Sequence, residues 1–241
     1  KTAFADGLAA FLDELPPPRP RGVLSRVKRS RVLPPGLDLS GFPEPHDRAP
    51  GAPPVIVWNH RWEEDKRPGA FARILLRLAE RGRDFRLVLL GPVEQVRPRP
   101  LELLKQLLPD RILVAGTAPT RREYVAWLSR ADLAVSTSAQ ENFGYAALEA
   151  MAAGAVPLLP RRLSYPEILP EGLHHDLLYG TDRDLLARLS AWLADPSLFA
   201  PLREPVMRAA RRHAWPARAA ALDGWIEDAA ARSRRPATRR P

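Results

Sequence analysis

Two cations lie close together in a loop that could neutralise a phosphate. Arg61 and Lys66 are five residues apart in WNHRWEEDKRP, residues 58–68, which leads into a helix predicted to begin near Pro68. An arginine can fork onto two oxygens, a lysine acts as a point charge, and the free N–H groups of a helix N-terminus favour anions. The spacing predicts a diphosphate site. The alternative is a solvated loop in which the acids at 63–65 pair with both cations.

Two carboxylates further along the chain could bind sugar hydroxyls. Glu141 and Glu149 are eight residues apart in SAQENFGYAALEAMAAG, residues 138–154. Glu149 falls in an alanine-rich predicted helix, where its carboxylate could accept two hydrogen bonds from a ribose diol. Glu141 could meet a second polyol, and the free N–H groups of the turn at 142–144 could hold an anion or sugar hydroxyls. The alternative is a capped surface helix with solvated glutamates. The many small residues favour a ligand, because they permit its close approach.

The apolar pattern predicts which elements position these side chains. The predicted strands are 55–58, 86–90, 111–115, 133–137 and 156–159, and the predicted helices are 68–82, 99–108, 120–130 and 144–153, with further helix from 183 to 231. Runs such as VIVW and LVLL are apolar on both faces, as strands covered by helices on both sides must be. The alternation indicates an α/β fold with an open, doubly wound, Rossmann-like parallel sheet. Ligands of such sheets bind at the carboxyl ends of the strands, where both loops lie.

The first 50 residues have the pattern of a connector. Apolar side chains at helical spacing predict a short amphipathic helix over 4–15, which PPPRP at 16–20 would end. A short extended run at 30–33 then meets PPGLD at 34–38, which is typical of a turn. The chain starts with Lys1 and shows no secretory signal, so we expect a piece of a longer protein.

Composition excludes several classes of protein. A hydrophobic share of 45% in 241 residues can fill a core, so wholesale disorder is excluded. No apolar run is long enough to span a membrane, and the absence of cysteine excludes a disulfide framework, a thiolate metal site and a thiol nucleophile. A reducing, cytoplasmic location is our expectation.

The net charge of +9 is concentrated in two arms. The acid-free runs at 16–37 and 232–241 hold 11 of the 37 basic residues, which leaves 26 bases against 28 acids elsewhere. Such arms could contact polyanions, because each neutralised phosphate releases counterions. The alternative is a GC-rich genome that encodes arginine and proline freely, since only four of the 37 bases are lysine.

Together the motifs resemble those of retaining glycosyltransferases of family 4, which have the GT-B fold. Glu141 and Glu149 match the E-x7-E signature of these enzymes, and Arg61 with Lys66 matches the pair that they aim at the donor diphosphate. The string WNHRWEEDK resembles a narrower glycosyltransferase-like family, which includes tRNA-queuosine α-mannosyltransferase. The resemblance covers roughly residues 2–225.

Two further segments support the resemblance. VLPPGLD at 32–38 resembles the turn between the two domains of these enzymes, although Pro35 replaces the usual asparagine. LDLSGF at 37–42 is similar to the narrower family.

The resemblance implies a role for each site residue. Arg61 and Lys66 would neutralise the leaving diphosphate, a task that a divalent metal performs in other glycosyltransferases, so we expect no metal or other cofactor. Together with Glu141 they are the expected catalytic residues. Glu141 would hold the donor hexose and Glu149 the ribose. The expected donor-binding residues are His60, Gly91, Gly116, Thr117, Asn142, Phe143, Gly144 and Glu149. The departing phosphate would itself take the acceptor proton, so no dedicated base is expected.

Two aromatic side chains in the cation loop have more than one candidate role. His60 could donate a hydrogen bond to the diphosphate, or it could orient the loop. Trp62 could stack on a base or sugar, or it could pack in the core.

The resemblance also implies a division of the chain, because GT-B enzymes build their site between two domains. Residues 1–50 would be a remnant of the N-terminal domain and the interdomain connector, and 51–214 the nucleotide-sugar-binding domain. Residues 215–231 would form the helix that crosses back, and 232–241 a disordered basic tail. The expected partners are a nucleotide sugar, tRNA as acceptor and the missing N-terminal domain, without which the chain would bind the donor but transfer it poorly.

The function implied is transfer of a hexose with retention from a nucleotide sugar, most specifically mannose from GDP-mannose to queuosine in tRNA. Three alternatives remain open. A glycosyltransferase of the same fold could act on a lipid or polysaccharide, and a UDP-sugar epimerase could have a related architecture. An RNA-binding module is the weakest, because the sequence lacks interleaved aromatic and basic residues.

Overall fold

The computed structural model describes residues 2–18, 20–42, 51–92 and 98–233. The chain divides into two compact units, a larger one of Gly36–Ala220 and a smaller one of Lys1–Pro35 with Ala221–Pro241. Arg19 and residues 234–241 lie outside the described residues. Part of the hypothesis that two basic arms contact polyanions depends on them.

The smaller unit contains two helices at its start, α1 (Thr2–Glu14) and α2 (Val23–Arg29). The first was predicted, and the second was not, because its seven residues are too few to define an apolar period. The guanidinium of Arg31, just after α2, lies 5.8 Å from the centroid of the Trp225 ring and 3.7 Å from the carboxylate of Asp228.

The larger unit is built on a parallel sheet of six strands. These are β1 (Val55–Trp58), β2 (Arg86–Leu90), β3 (Ile112–Gly116), β4 (Leu133–Val135), β5 (Val156–Pro160) and β6 (Leu178–Tyr179). Every neighbouring pair is parallel and the order is β3-β2-β1-β4-β5-β6. This is the doubly wound Rossmann order, in which the chain reverses direction across the sheet between β1 and β4. The predicted fold class is therefore confirmed.

Helices connect the strands and follow the last of them. They are α3 (Pro68–Glu80), α4 (Arg99–Leu107), α5 (Arg121–Ser129), α6 (Tyr145–Ala152), α7 (Tyr165–Ile168), α8 (His174–Leu177), α9 (Asp182–Ala194) and α10 (Arg203–Arg211), and a last helix, α11 (Trp215–Ser233), has residues in both units. Thr120 and Thr181 begin α5 and α9 with side-chain hydrogen bonds to the backbone N–H three residues on, which is the usual way to satisfy a free helix donor. No helix within the described ranges is both long and apolar enough to cross a membrane.

The core lies on both faces of the sheet. Ile56 and Trp58 of β1 belong to the cluster that contains Phe71 of α3, whereas Val57 between them belongs to a second cluster with Leu128 of α5. Successive strand side chains point to opposite faces, so a strand buried on both sides must be apolar throughout. The reading of VIVW as such a strand is confirmed.

Candidate functional site

Two adjoining cavities open at the carboxyl ends of the strands, beside the reversal point between β1 and β4. The first has a volume of about 430 Å³ and is lined by the loops after β1, β2 and β3, the start of α5, and Glu149. The second, of about 370 Å³, is lined by the loops after β1 and β4 and by Tyr145 and Ala146 of α6. Asn59, His60 and Arg61 line both cavities. The arrangement suits an elongated ligand whose middle lies at these three residues.

Lys66 is buried in the second cavity and holds its two walls together. Its Nζ donates to the backbone oxygen of Gln140 at 2.7 Å, and lies 3.1 Å from a carboxylate oxygen of Asp65 and 3.4 Å from one of Glu141. A buried ammonium is tolerated when it is paired and hydrogen-bonded in this way. The fold thus brings together Lys66 and Glu141, which are 75 residues apart in the chain.

Arg61 is the exposed member of the cation pair. Its side chain is 53% exposed, with the guanidinium 3.0 Å from Glu63 and 4.0 Å from Asp65. The acids of the loop therefore do pair with the cations, as the alternative interpretation expected. An exposed ion pair contributes only about 0–1 kcal/mol, so a phosphate placed between the two cavities could replace Glu63 at little cost.

Glu141 uses one of its carboxylate oxygens inside the protein. Its Oε1 accepts hydrogen bonds from the backbone N–H groups of Gly144, at 2.9 Å, and Phe143, at 3.3 Å. The expectation that these two N–H groups are free for a ligand is wrong in this structure, because both donate to Glu141 within the turn that precedes α6. Asn142 is exposed and lines the second cavity, as does Glu141 itself.

Glu149 lies in the first cavity within a network of hydrogen bonds. Its Oε1 accepts from Nη1 of Arg121 and its Oε2 accepts from the phenol of Tyr124, both at 2.7 Å. The phenol accepts in turn from Nδ2 of Asn59 at 2.9 Å. Burial and the adjacent Glu149 carboxylate raise the pKa of Tyr124, so its phenol stays protonated.

Sequence reasoning missed Asn59, Arg121 and Tyr124. Asn59 directly precedes His60 in the cation loop, and Arg121 and Tyr124 open the predicted helix at the end of the third strand. Their position at carboxyl ends of strands was the available signal, but no spacing rule connects them to Glu149.

His60 is buried in the wall that the cavities share. Its imidazole packs edge-on against Trp58, with the ring centroids 5.0 Å apart. The pKa of His60 is lowered to about 4, chiefly by burial and in part by Lys66, while Glu141 and Asp65 partly oppose the shift. The ring is therefore neutral near pH 7. Trp62 is buried too and its ring centroid lies 6.0 Å from that of Trp58, as expected for packing.

The loops that contain the predicted donor-binding residues Gly91 and Thr117 form one wall of the first cavity. Gly91 and Thr117 line it directly, together with Pro92 and Ala118. Gly116, the residue before Thr117, has a φ of 135°, which favours glycine, and its carbonyl accepts from the N–H of Gly91 at 3.2 Å. Among the described residues, no group of three or more acidic and histidine side chains is placed to hold a metal ion.

The known proteins that this chain resembles are glycosyltransferases. Residues 45–213 match the family described as glycosyl transferases group 1. The chain is 29% identical over 211 residues to tRNA-queuosine α-mannosyltransferase of Drosophila melanogaster, covering 84% of this chain and 55% of that protein. It is 31% identical over 231 residues to D-inositol 3-phosphate glycosyltransferase of Xylanimonas cellulosilytica, covering 88% and 54%. The chain thus spans about half the length of these curated relatives.

Among solved structures, the fold is similar to that of sucrose-phosphate synthase from Thermosynechococcus elongatus. The TM-score is 0.69 at 23% identity, over 83% of this chain and 53% of that one. At this identity the similarity supports the fold alone.

Proposed function

The chain belongs to the group 1 glycosyl transferases, and on that premise we propose that it supplies the nucleotide-sugar-binding domain of an enzyme that transfers a hexose. The observation that carries the proposal is the pair of cavities joined at Arg61. One contains Glu149, a carboxylate suited to a diol, and the other contains a buried cation beside a second carboxylate, Glu141. A nucleoside diphosphate sugar has these parts in this order.

The donor fits the two cavities in one direction. The nucleoside occupies the first cavity, with the ribose on Glu149 and the base against the loops at Gly91 and Thr117. The diphosphate lies at Arg61, and the hexose lies in the second cavity near Glu141. Lys66 adds a positive charge beside the phosphate that leaves.

In the proposed reaction, the bond between the anomeric carbon and the diphosphate oxygen breaks and the acceptor oxygen bonds to the same face of that carbon. The acceptor proton passes to the departing phosphate. Arg61 and Lys66 stabilise the negative charge that develops there, which accounts for a transfer without a metal or a dedicated base. Loss of such a preorganised charge typically costs about 3–4 kcal/mol of transition-state stabilisation.

We propose mannose from GDP-mannose as the donor group and queuosine in tRNA as the acceptor. The identity to the Drosophila tRNA-queuosine α-mannosyltransferase over 84% of this chain supports this choice. The exposed basic residues Arg26, Lys28 and Arg29 of α2 would suit an RNA acceptor. The chain spans about half of that relative, so we expect it to bind the donor by itself but to transfer it slowly.

The test is a calorimetric titration of the chain with GDP-mannose, UDP-glucose, UDP-N-acetylglucosamine and GDP. We expect guanine nucleotides to bind selectively, and binding to be lost in Glu149→Ala and in Arg61→Ala. If neither variant weakens the binding, the donor site has been placed wrongly. If no nucleotide binds at all, the proposed function of this unit fails.

A second candidate is a transferase of the same family with another nucleotide and acceptor. The 31% identity to D-inositol 3-phosphate glycosyltransferase favours it. Preference for a uracil nucleotide in the same titration would select this candidate, and the tRNA assignment would then be wrong.

A further inference from the structure

We propose that Tyr124, Asn59 and Arg121 are positioning residues that orient Glu149 for a vicinal diol and so make the site selective for ribose over 2′-deoxyribose. The inference rests on the proposed function, because it takes the first cavity as the nucleoside site. The sequence alone predicted no role for any of the three, although Asn59 lies within the string WNHRWEEDK.

The first step concerns the number of lone pairs on Glu149. An ionised carboxylate only accepts hydrogen bonds, and each of its oxygens has two lone-pair positions. Arg121 occupies one position on Oε1 and Tyr124 one on Oε2, each at 2.7 Å. One position on each oxygen therefore remains, which matches the two adjacent hydroxyl groups of a ribose.

The second step concerns the direction of the phenol proton. Tyr124 has a single proton, and its oxygen already accepts from Nδ2 of Asn59 at 2.9 Å. The same Nδ2 donates its other proton to the carbonyl of Ala146 at 2.8 Å. Because both amide protons are committed, the phenol proton is directed at Glu149. The two bonds tie the end of β1 to α5 and to α6, the helix that carries Glu149.

The third step concerns the arginine. Arg121 lines the first cavity, and its Nη2 donates to the carbonyl of Asp38 at 3.1 Å. Its guanidinium carbon lies 5.4 Å from the ring centroids of both Phe42 and Tyr124. These contacts hold the guanidinium beside Oε1, so Arg121 limits the rotation of the Glu149 carboxylate. Since its side chain is 46% exposed, replacing it should leave the core intact.

The experiment measures the dissociation constants of GDP, 2′-deoxy-GDP, UDP and 2′-deoxy-UDP by calorimetry. For the base that the wild-type chain prefers, we expect the ribonucleotide to bind about tenfold more tightly than the 2′-deoxyribonucleotide. This ratio corresponds to the loss of one hydrogen bond to a charged group. Tyr124→Phe should reduce that preference about fivefold, mainly by weakening the ribonucleotide.

The matched control is Tyr179→Phe. It removes a phenol of the same kind, which donates at 2.8 Å to the carbonyl of Ser136, but it leaves Glu149 untouched. A general loss of stability would weaken the ribo and deoxy ligands by the same factor, so the control should keep the wild-type preference. Arg121→Met is a second variant in case Tyr124→Phe does not fold, and it should also lower the preference.

Three results would overturn the inference. If Tyr124→Phe and Arg121→Met weaken both ligands equally, the network has only a structural role and the proposed function stands. If the wild-type chain binds ribo and deoxy nucleotides alike, Glu149 does not hold the diol. If it binds none of the four, the proposed function itself is wrong and the inference fails with it.

Discussion

Lys66 and Arg61 lie in the same loop, but their charges have different surroundings. Lys66 is 11% exposed at its side chain and has two carboxylate partners, whereas Arg61 is 53% exposed and pairs with its own loop. Removing one partner of a buried ion pair leaves the remaining charge unpaired in the protein interior. This destabilises the fold much more than the loss of a surface ion pair. The contributions of the two cations to stability can therefore be distinguished by experiment.

We expect Lys66→Gln to lower the free energy of unfolding by about 3–5 kcal/mol, because Asp65 and Glu141 lose their shared cation. Arg61→Gln, the matched control in the same loop, should lower it by no more than about 1 kcal/mol. Urea unfolding at pH 7 measures both. Equal losses of stability would show that Lys66 is not buried as described.

The residues that could be predicted at this scale are those with a fixed spacing. Glu141 and Glu149 stand eight apart, and Arg61 and Lys66 five apart, so each pair can be recognised in the sequence. The partners of these residues could not be predicted. The bond from Arg121 to Glu149 spans 28 residues and exists only because α5 and α6 flank one cavity.

Elements were predicted where their pattern is long and apolar. β1 and β2 have the predicted bounds, because each is buried on both faces. β4 was predicted over 133–137 but ends at Val135, and the polar residues that follow it use their side chains for other contacts. The hydroxyl of Ser136 lies 2.6 Å from the phenol of Tyr165, and that of Thr137 donates at 2.7 Å to the carbonyl of Lys66.

Two short elements could not be predicted. β6 has only two residues, and its strand conformation depends on pairing with β5. Helix α2 has seven residues, none of them buried, and its three apolar ones, Val23, Leu24 and Val27, are too few to establish a helical period. β6 owes its form to its neighbour rather than to a local pattern.

The loop after β2 approaches the loop after β1 so closely that only glycine fits at Gly91. A Cβ atom there would collide with the carbonyl oxygen of His60 and lie 3.2 Å from the indole nitrogen of Trp62. Because His60 belongs to the wall shared by the two cavities, any shift that relieves this collision also moves the site.

We therefore expect Gly91→Ala to cost about 1–3 kcal/mol of stability and to weaken nucleotide binding. Gly172→Ala is the matched control, since a Cβ at Gly172 meets no atom within 4 Å, and it should change stability by less than about 0.5 kcal/mol. Thermal unfolding and calorimetry measure the two effects. Wild-type nucleotide affinity in Gly91→Ala would show that the loop contact does not shape the site.

At the scale of the whole molecule, the strand order places the site. The loops after β1 and β4 come from neighbouring strands across which the order reverses, so they diverge and leave a crevice between them. Lys66 comes from one side of this crevice and Glu141 from the other. A sequence pattern can suggest this sheet, but the pairing of β1 with β4 is a long-range contact that spacing does not encode.

The charge of the whole chain is unevenly distributed, and α2 provides a test of what that charge binds. Arg26, Lys28 and Arg29 are exposed on this helix, within an acid-free run of the sequence. If they contact RNA phosphates, we expect each contact to release about 0.7–0.9 counterions, the range for single strands and duplex DNA. Changing all three to alanine should then reduce the slope of log affinity against log salt by about 2–3.

The measurement is fluorescence anisotropy of labelled tRNA with the chain between 50 and 200 mM salt. Arg77→Ala, Arg122→Ala and Arg208→Ala together form the control, because they remove the same charge from the larger unit. GDP affinity should be unchanged by the α2 substitutions, since none of these residues lines either cavity. Equal loss of tRNA binding in both variants would mean that net charge alone attracts the RNA. No change in the α2 variant would mean that this helix is an ordinary solvated surface, and that the acceptor is recognised elsewhere.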